Sequence, residues 1–235
     1  LYEKSSQLGG QLLHADYPEF KWPLRNFKDY MIRQVLKAYI TLKLGTEATP
    51  AVIAAEGYDA VIVAIGAEQK NLNIPGADSK KVVMPIAVYG HEEELGKNIV
   101  VVGGGEIGAE TGLYLAECGH HVTLLTRQDR VAPDATCTHY REMFEERWLG
   151  IEFSLLYDVP IESVTVTGVI YRDKAGALCE LPADNVVISG GRASDTEFAL
   201  SFYGSANDFF LVGDCKTPGN VQKCMRMAYA AATRL

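Results

Sequence analysis

The sequence predicts an α/β protein built from two doubly wound parallel sheets with small β-meanders, one domain inserted in the other. Three observations predict it. Apolar, β-branched runs alternate with segments of helical period along the chain. Four of those runs stop at a glycine: Gly66, Gly103, Gly190 and Gly213. A complete strand–turn–helix–strand unit in the middle of the chain has an incomplete echo at its start. Strands alternating with helices imply a parallel sheet. Connections in such sheets are right-handed, and ligands lie outside the carboxyl ends of the strands.

The complete unit is NIVVVGGGEIGAETGLYLAECGHHVTLLTR, from Asn98 to Arg127. Asn98–Val102 reads as a buried strand. Gly103-x-Gly105-x-x-Gly108 follows, then a helical run that starts with Glu106 and Ile107 and carries Leu113 and Leu115, then a second strand, Val122–Thr126. In that context the glycines are a dinucleotide-binding fingerprint and the sheets are Rossmann-like. The first glycine makes a tight turn, the second admits a pyrophosphate, and the third lets helix pack on strand. The helix amino end supplies unpaired N–H groups and its positive dipole end to the phosphates. A carboxylate about 20 residues on would favour NAD, and an arginine there NADP. This strand ends Leu124-Leu125-Thr126-Arg127 with no acid. Arg127 is read as a bidentate partner for a 2′-phosphate, the alternative being a solvated strand-end cation.

The remaining elements follow in order. Leu1-Tyr2-Glu3-Lys4 aligns with Leu124-Leu125-Thr126-Arg127, which puts Glu3 at the ribose-binding place of the echo. The strand and glycine turn that should precede it are not in the sequence, so the chain is expected to be a piece of a longer polypeptide. The exposed sheet edge beside Leu1 is expected to favour homo-oligomers. HADYPEFKWPLRNF, with Pro18 and Pro23, reads as an irregular connection; Phe27–Lys37 as a helix; Ile40–Leu44 as a strand; Pro50–Ala55 as a helix turn. Tyr58–Ile65 reads as a buried strand, Asn71–Val82 as a loop, and His91–Glu94 as a solvated acidic face. Beyond the fingerprint come a helix, Ala135–Leu149, strands over Ile151–Leu156 and Ile161–Arg172, and a turn at Asp173–Gly176. The buried strand Asn185–Ser189, the strand Phe209–Val212 and a terminal helix through Ala228–Thr233 complete the reading.

Composition narrows the class. At 235 residues the chain suits one or two domains. A net charge of −8 argues against a nucleic-acid surface. No apolar run approaches the roughly 18 residues of a membrane span. The five cysteines, Cys118, Cys137, Cys179, Cys215 and Cys224, include no closely spaced pair, which argues against a disulfide scaffold, a metal site or a redox dithiol. A reduced, cytoplasmic protein is expected. His120-His121 suits a helix-to-strand turn, and Trp22 and Trp148 core or interface positions. No side-chain constellation for acid–base or nucleophilic catalysis is visible, as hydride transfer between cofactors permits.

The order LYEKSSQLGGQL, YDAVIVAIGA, IPG, VVGGGEIGAE, VVISGGR and FFLVGDC resembles the nucleotide-binding half of two-dinucleotide-binding oxidoreductases. It is most similar to the carboxyl-terminal half of the 2,4-dienoyl-CoA reductase and trimethylamine dehydrogenase group of old-yellow-enzyme-like NADH:flavin oxidoreductases. The resemblance covers essentially the whole chain. It implies a discontinuous FAD domain, 1–95 and 190–235, with an NAD(P) domain, 96–189, between. It implies that Glu3 binds the adenosine ribose of FAD, that Gly10 and Gln11 lie along it, and that Ala64, Gly66 and Ala67 form a turn near both cofactors. Gly190 would close a further strand end. Asp214, after Gly213, would bond the ribityl chain or the pyrophosphate region, the alternative being a helix N-cap. It implies hydride transfer from NAD(P)H to FAD, with electrons passing to FMN and a 4Fe-4S cluster on a barrel half that reduces an enone-type substrate. The alternatives are a non-catalytic module holding ADP and, less favoured, a disulfide reductase.

Overall fold

Five short apolar runs make the central sheet. Asn98–Val102 lies between Asn185–Ile188 and His121–Leu125, with Val82–Val83 and Phe153–Leu156 at the edges, and every neighbouring pair is parallel. The register sets Val100 against Val186 on one side and Thr123 on the other. A strand paired on both sides and covered on both faces has no polar face, and Ile99 to Val102 are each 3% exposed or less. The helix Glu106–Glu117 follows, and nine of its twelve residues are buried. Its close seat needs Gly112, where a Cβ would come within 3.0 Å of the Phe153 ring. Three antiparallel strands, Ile161–Val164, Gly168–Arg172 and Leu178–Pro182, form a meander. Val164 and Val169 of the meander join Val100, Val102, Leu125, Val186 and Ile188 in one core.

The computed structural model describes residues 1–133, 135 and 140–235. It divides into two compact units: Gln69–Gly191, which holds that sheet, and a split unit of Leu1–Glu68 with Arg192–Leu235. In the split unit Tyr2–Glu3 pairs in parallel with Lys43–Leu44, and Ala60–Val63 with Asp208–Leu211, as two separate pairs. Its core is small: Ile53, Val61, Val63, Ala199, Phe202 and Cys215. Helix Trp22–Lys37 has no buried residue, and helix Val221–Ala232 buries only Ala231. Lys43 ties the first strand pair to helix Pro50–Glu56, donating to Tyr2 Oη at 2.7 Å and Glu56 Oε1 at 2.8 Å.

Several elements differ from the sequence reading, each for a local reason. Helix Trp22–Lys37 begins five residues before the expected Phe27, because Pro23 falls in its first turn, where a proline costs no hydrogen bond. Short helical turns at Leu12–Ala15 and Glu19–Lys21 occupy the expected irregular connection. The expected buried strand Tyr58–Ile65 is shorter, Ala60–Val63, and alternates: Val61 and Val63 are buried while Ile62 is 42% exposed. The alternating run Ile161–Arg172 is broken by a turn in which Thr165 Oγ1 accepts from the Thr167 and Gly168 amides. An unexpected helix, Thr196–Ser201, is started by Asp195, which accepts from the Phe198 amide. Of the expected helix Ala135–Leu149, the structure shows Tyr140–Trp148; residues 136–139 lie outside the described residues. Residues 69–95, grouped by sequence with the first segment, belong to the inserted unit: Val82–Val83 pairs with Asn185–Ile188 and Ala77 lies in its core.

Candidate nucleotide-binding site

The glycine turn leaves no room for side chains. Gly103 has φ of 107°, the left-handed region that glycine tolerates, and a Cβ on it would lie 2.3 Å from Ser189 O. A Cβ on Gly108 would lie 1.9 Å from Gly103 O, and one on Gly104 2.7 Å from the Thr126 side chain. The Gly103 amide bonds Leu125 O at 2.9 Å, and the Ser189 amide bonds Val102 O at 2.8 Å. Three neighbouring strand ends, at Val102, Leu125 and Ile188, thus close on the turn. Helix Glu106–Glu117 starts there from Gly105, in extended conformation, with no side chain capping it. An uncapped amino end over a glycine cradle is a pre-formed anion site, and the geometry fits a nucleotide pyrophosphate. Glu106 and Ile107 lie half-buried in the first turn.

The ribose end divides differently from the sequence expectation. Arg127 is exposed, as a phosphate contact requires. Thr126 is only 3% exposed; it packs under Gly104, and its hydroxyl accepts from the Gln128 amide at 3.1 Å. Its small size serves the turn itself. Gly190 also has an internal reason to be glycine, since a Cβ there would meet Lys70 O at 2.5 Å.

The structure shows two features here that sequence reasoning missed. Glu110 is a carboxylate 8% exposed on the fingerprint helix, and Tyr140 Oη donates to it at 2.7 Å. Thr111, fully buried beside it, shares a 2.9 Å hydrogen bond with Tyr89, whose hydroxyl is pushed well above its ordinary pKa by burial. Glu110 lies four residues beyond Glu106, on the same helix face, which is a signal the sequence did carry.

In the split unit the residues read as flavin contacts fall into two groups. Gln11 Nε2 donates to Ala67 O, and Gly66 turns the chain there with φ of 77°. Ala64 is exposed, and Gly10 starts the turn into Leu12–Ala15 with φ of 53°. The Gly213–Cys215 turn lies beside the end of strand Ala60–Val63: Val212 N and Cys215 Sγ both donate to Val63 O. Asp214 is not an N-cap, since Asn220 caps helix Val221–Ala232 by accepting from the Lys223 amide. Its carboxylate accepts from Arg192, from the Gly219 amide at 2.9 Å and from Cys224 Sγ at 3.7 Å. Burial, and then the Asp214 charge, push the Cys224 thiol pKa up. Glu3 turns back on its own loop and accepts from the Ser5 amide at 2.8 Å. The hydroxyl-binding end of a flavin nucleotide fits Asp214 and the Gln11–Ala67 turn, whereas the chain carries a single glycine fingerprint, already placed in the inserted unit.

Cys118, Cys179, Cys215 and Cys224 are all unpaired, and Cys137 lies outside the described residues. Among the described residues no cluster of three or more His, Cys, Asp or Glu is placed to hold a metal, and no helix is long and apolar enough to cross a membrane.

Parallel sheets, a glycine cradle at an uncapped helix and turns at neighbouring strand ends define a dinucleotide-binding oxidoreductase fold. The chain belongs to the pyridine nucleotide-disulphide oxidoreductase family, whose model matches residues 43–228. That family binds FAD and NAD(P). Over its whole length the chain is 30% identical to bilirubin reductase of Mediterraneibacter gnavus and 24% identical to cinnamate reductase of Clostridium sporogenes, covering 36% and 35% of those proteins. Among solved structures it matches 2-naphthoyl-CoA reductase with a TM-score of 0.92 at 26% identity, covering all of this chain and 36% of that one. Histamine dehydrogenase from Rhizobium sp. 4-9 shares the fold, with a TM-score of 0.85 at 17% identity, 100% of this chain and 40% of that one being covered. These neighbours bear out the resemblance to the 2,4-dienoyl-CoA reductase group. The chain spans between 35% and 40% of the length of the first curated relatives it matches.

Proposed function

We propose that these 235 residues are the nucleotide-binding part of a longer flavin-dependent oxidoreductase that takes reducing equivalents from NAD(P)H. The observation that carries this is the cradle of Gly103, Gly105 and Gly108 at the uncapped helix. In this reading NAD(P)H lies on residues 96–189, with Glu106 and Ile107 in the helix turn nearest the phosphates. Arg127 faces a 2′-phosphate and so favours NADPH. FAD lies on the split unit, 1–68 and 192–235, held through Glu3, Gly10, Gln11, the turn Ala64–Ala67, Gly213 and Asp214. When bound together, the nicotinamide supplies a hydride and the flavin accepts it. The chain's own part is to orient both and keep water from them. Burial of Val63 beside the Asp214 turn, and of Ala67 where Gln11 donates to it, supports that role.

Onward transfer to FMN and a 4Fe-4S cluster on the rest of the polypeptide is part of the same proposal, supported by the third or so of their length that the relatives share with this chain. Cinnamate and naphthoyl-CoA both carry a carbonyl conjugated to unsaturation, which suits an enone-type substrate. The test is anaerobic addition of NADPH to the full-length protein while flavin absorbance is followed. Bleaching is expected, complete only beyond one NADPH per FAD, because FAD, FMN and the cluster all take electrons. A colourless protein that retains ADP would replace this reading with the non-catalytic module, and two new thiols on reduction would favour a disulfide reductase.

A further inference from the structure

Asp214 is a carboxylate with only 11% of its side chain exposed, and Arg192, 21% exposed, is set against it. The guanidinium does more than neutralise it. Arg192 Nη1 donates to Asp214 Oδ2, while Nη2 donates to Gly219 O at 2.5 Å. The Gly219 amide returns a hydrogen bond to Asp214 Oδ1, and Ser194 Oγ donates to the Asp214 carbonyl at 2.5 Å. The result is a closed ring of Arg192, Asp214 and Gly219, fixed on one side by the strand Arg192–Ala193 and on the other by Asn220 and the helix it caps. Arg192 is the residue at which the chain re-enters the split unit.

We propose that Arg192 is a positioning residue for the flavin site: it locks the orientation of Asp214, so that the carboxylate meets a flavin hydroxyl without rearranging. This rests on the reading of Asp214 as a flavin contact. The acceptor count allows it. A carboxylate has about four lone-pair positions, and the two strong donors with one weak thiol leave room for a hydroxyl. A carboxylate this buried is costly unless paired, and removing one partner leaves the other uncompensated. Without Arg192 the carboxylate would be free to turn toward water, and a hydroxyl would lose its aligned, charge-assisted acceptor.

The test is a double-mutant cycle on the full-length flavoprotein, with FAD dissociation measured by the fluorescence of released flavin and folding followed by melting temperature. Asp214→Asn is expected to weaken FAD about tenfold or more, the loss of one charge-assisted bond. Arg192→Gln is expected to weaken it by a similar factor, and Arg192→Lys, which keeps the charge but cannot bridge Asp214 Oδ2 and Gly219 O, by roughly half of that factor on a logarithmic scale. The double variant is expected to be no worse than Asp214→Asn alone, because the arginine acts through the carboxylate. Additive losses, or an Arg192→Gln protein with a lower melting temperature but unchanged FAD affinity, would overturn the proposal while leaving Asp214 in place. Unchanged affinity in Asp214→Asn would overturn the reading of Asp214 itself.

Discussion

The two units differ in how far their strands are joined: one five-stranded sheet in the inserted unit, two separate pairs in the split unit. The inserted unit runs Val82–Val83, Asn185–Ile188, Asn98–Val102, His121–Leu125, Phe153–Leu156. The split unit offers Ala60–Val63 paired with Asp208–Leu211, and Tyr2–Glu3 paired with Lys43–Leu44. Tyr2–Glu3 aligns in sequence with the end of His121–Leu125, and the described residues of the split unit include no counterpart of the fingerprint strand. The consequences for packing are large. Where that strand is present, the four residues Ile99–Val102 and the helix behind it are buried. In the split unit, Ile62 and Ile65 are 42% and 47% exposed, and a 16-residue helix has no fully buried residue. The central strand of a doubly wound sheet thus supplies more than the phosphate turn: it gives both faces something to pack on.

The largest expected effect breaks or confirms that contrast directly. In the isolated chain, amides of Asn98–Val102 and Asn185–Ile188 should exchange with solvent at least about 1,000-fold more slowly than those of Tyr2–Glu3 and helix Trp22–Lys37, since local opening free energies differ by several kcal/mol. Equal protection in the two units would contradict the comparison.

Truncation should divide the units in the same way. Leu124→Ala removes a side chain with 0% exposure and should cost about 2–5 kcal/mol in chemical denaturation. Ile62→Ala should cost less than about 1 kcal/mol, because that side chain already meets water. Similar losses would mean that the split unit is as tightly packed as the inserted one.

Gly108→Val probes the cradle. Its Cβ would strike Gly103 O, so the helix start must shift. NADPH affinity should fall at least about 100-fold, as expected when backbone N–H donors aimed at a phosphate move. Unchanged binding with an unchanged fold would place the nucleotide elsewhere.

The coenzyme contrast is smaller. Arg127→Ala should weaken NADPH about tenfold and leave NADH nearly unchanged, since charge-assisted hydrogen bonds contribute roughly 1.5–3 kcal/mol before solvent losses. Equal losses for both coenzymes would make Arg127 an ordinary surface charge. Thr126→Glu is a poor way to reverse the preference, although the sequence suggests it: Thr126 is buried under Gly104, and a carboxylate there would disturb the turn.

What the sequence showed, and what it hid, follows the range of the interactions. The fingerprint is local, and Gly103, Gly105 and Gly108 were legible because turn, helix start and strand lie within a dozen residues. The turn at Asp173–Gly176 was legible for the same reason: Asp173 accepts from the Ala175 and Ala177 amides beside it. Helix Trp22–Lys37 was cut short because a proline reads as a breaker unless its place in the first turn is known. The Arg192–Asp214 pair spans 22 residues with no periodicity to announce it. Residues 69–95 read as part of the first segment because the short Val82–Val83 strand takes its place in the inserted unit only through pairing with Val186 and Val187, far along the chain.

We propose that the inserted unit holds the nicotinamide nucleotide; the 235 residues contain one glycine fingerprint, and it lies in that unit. Calorimetric titration of the isolated 235-residue chain with NADPH, NADH and FAD tests it most directly. One NADPH is expected to bind per chain, about tenfold tighter than NADH, with little or no FAD. Stoichiometric, tight FAD binding by this chain, or no binding of either nicotinamide nucleotide, would contradict it.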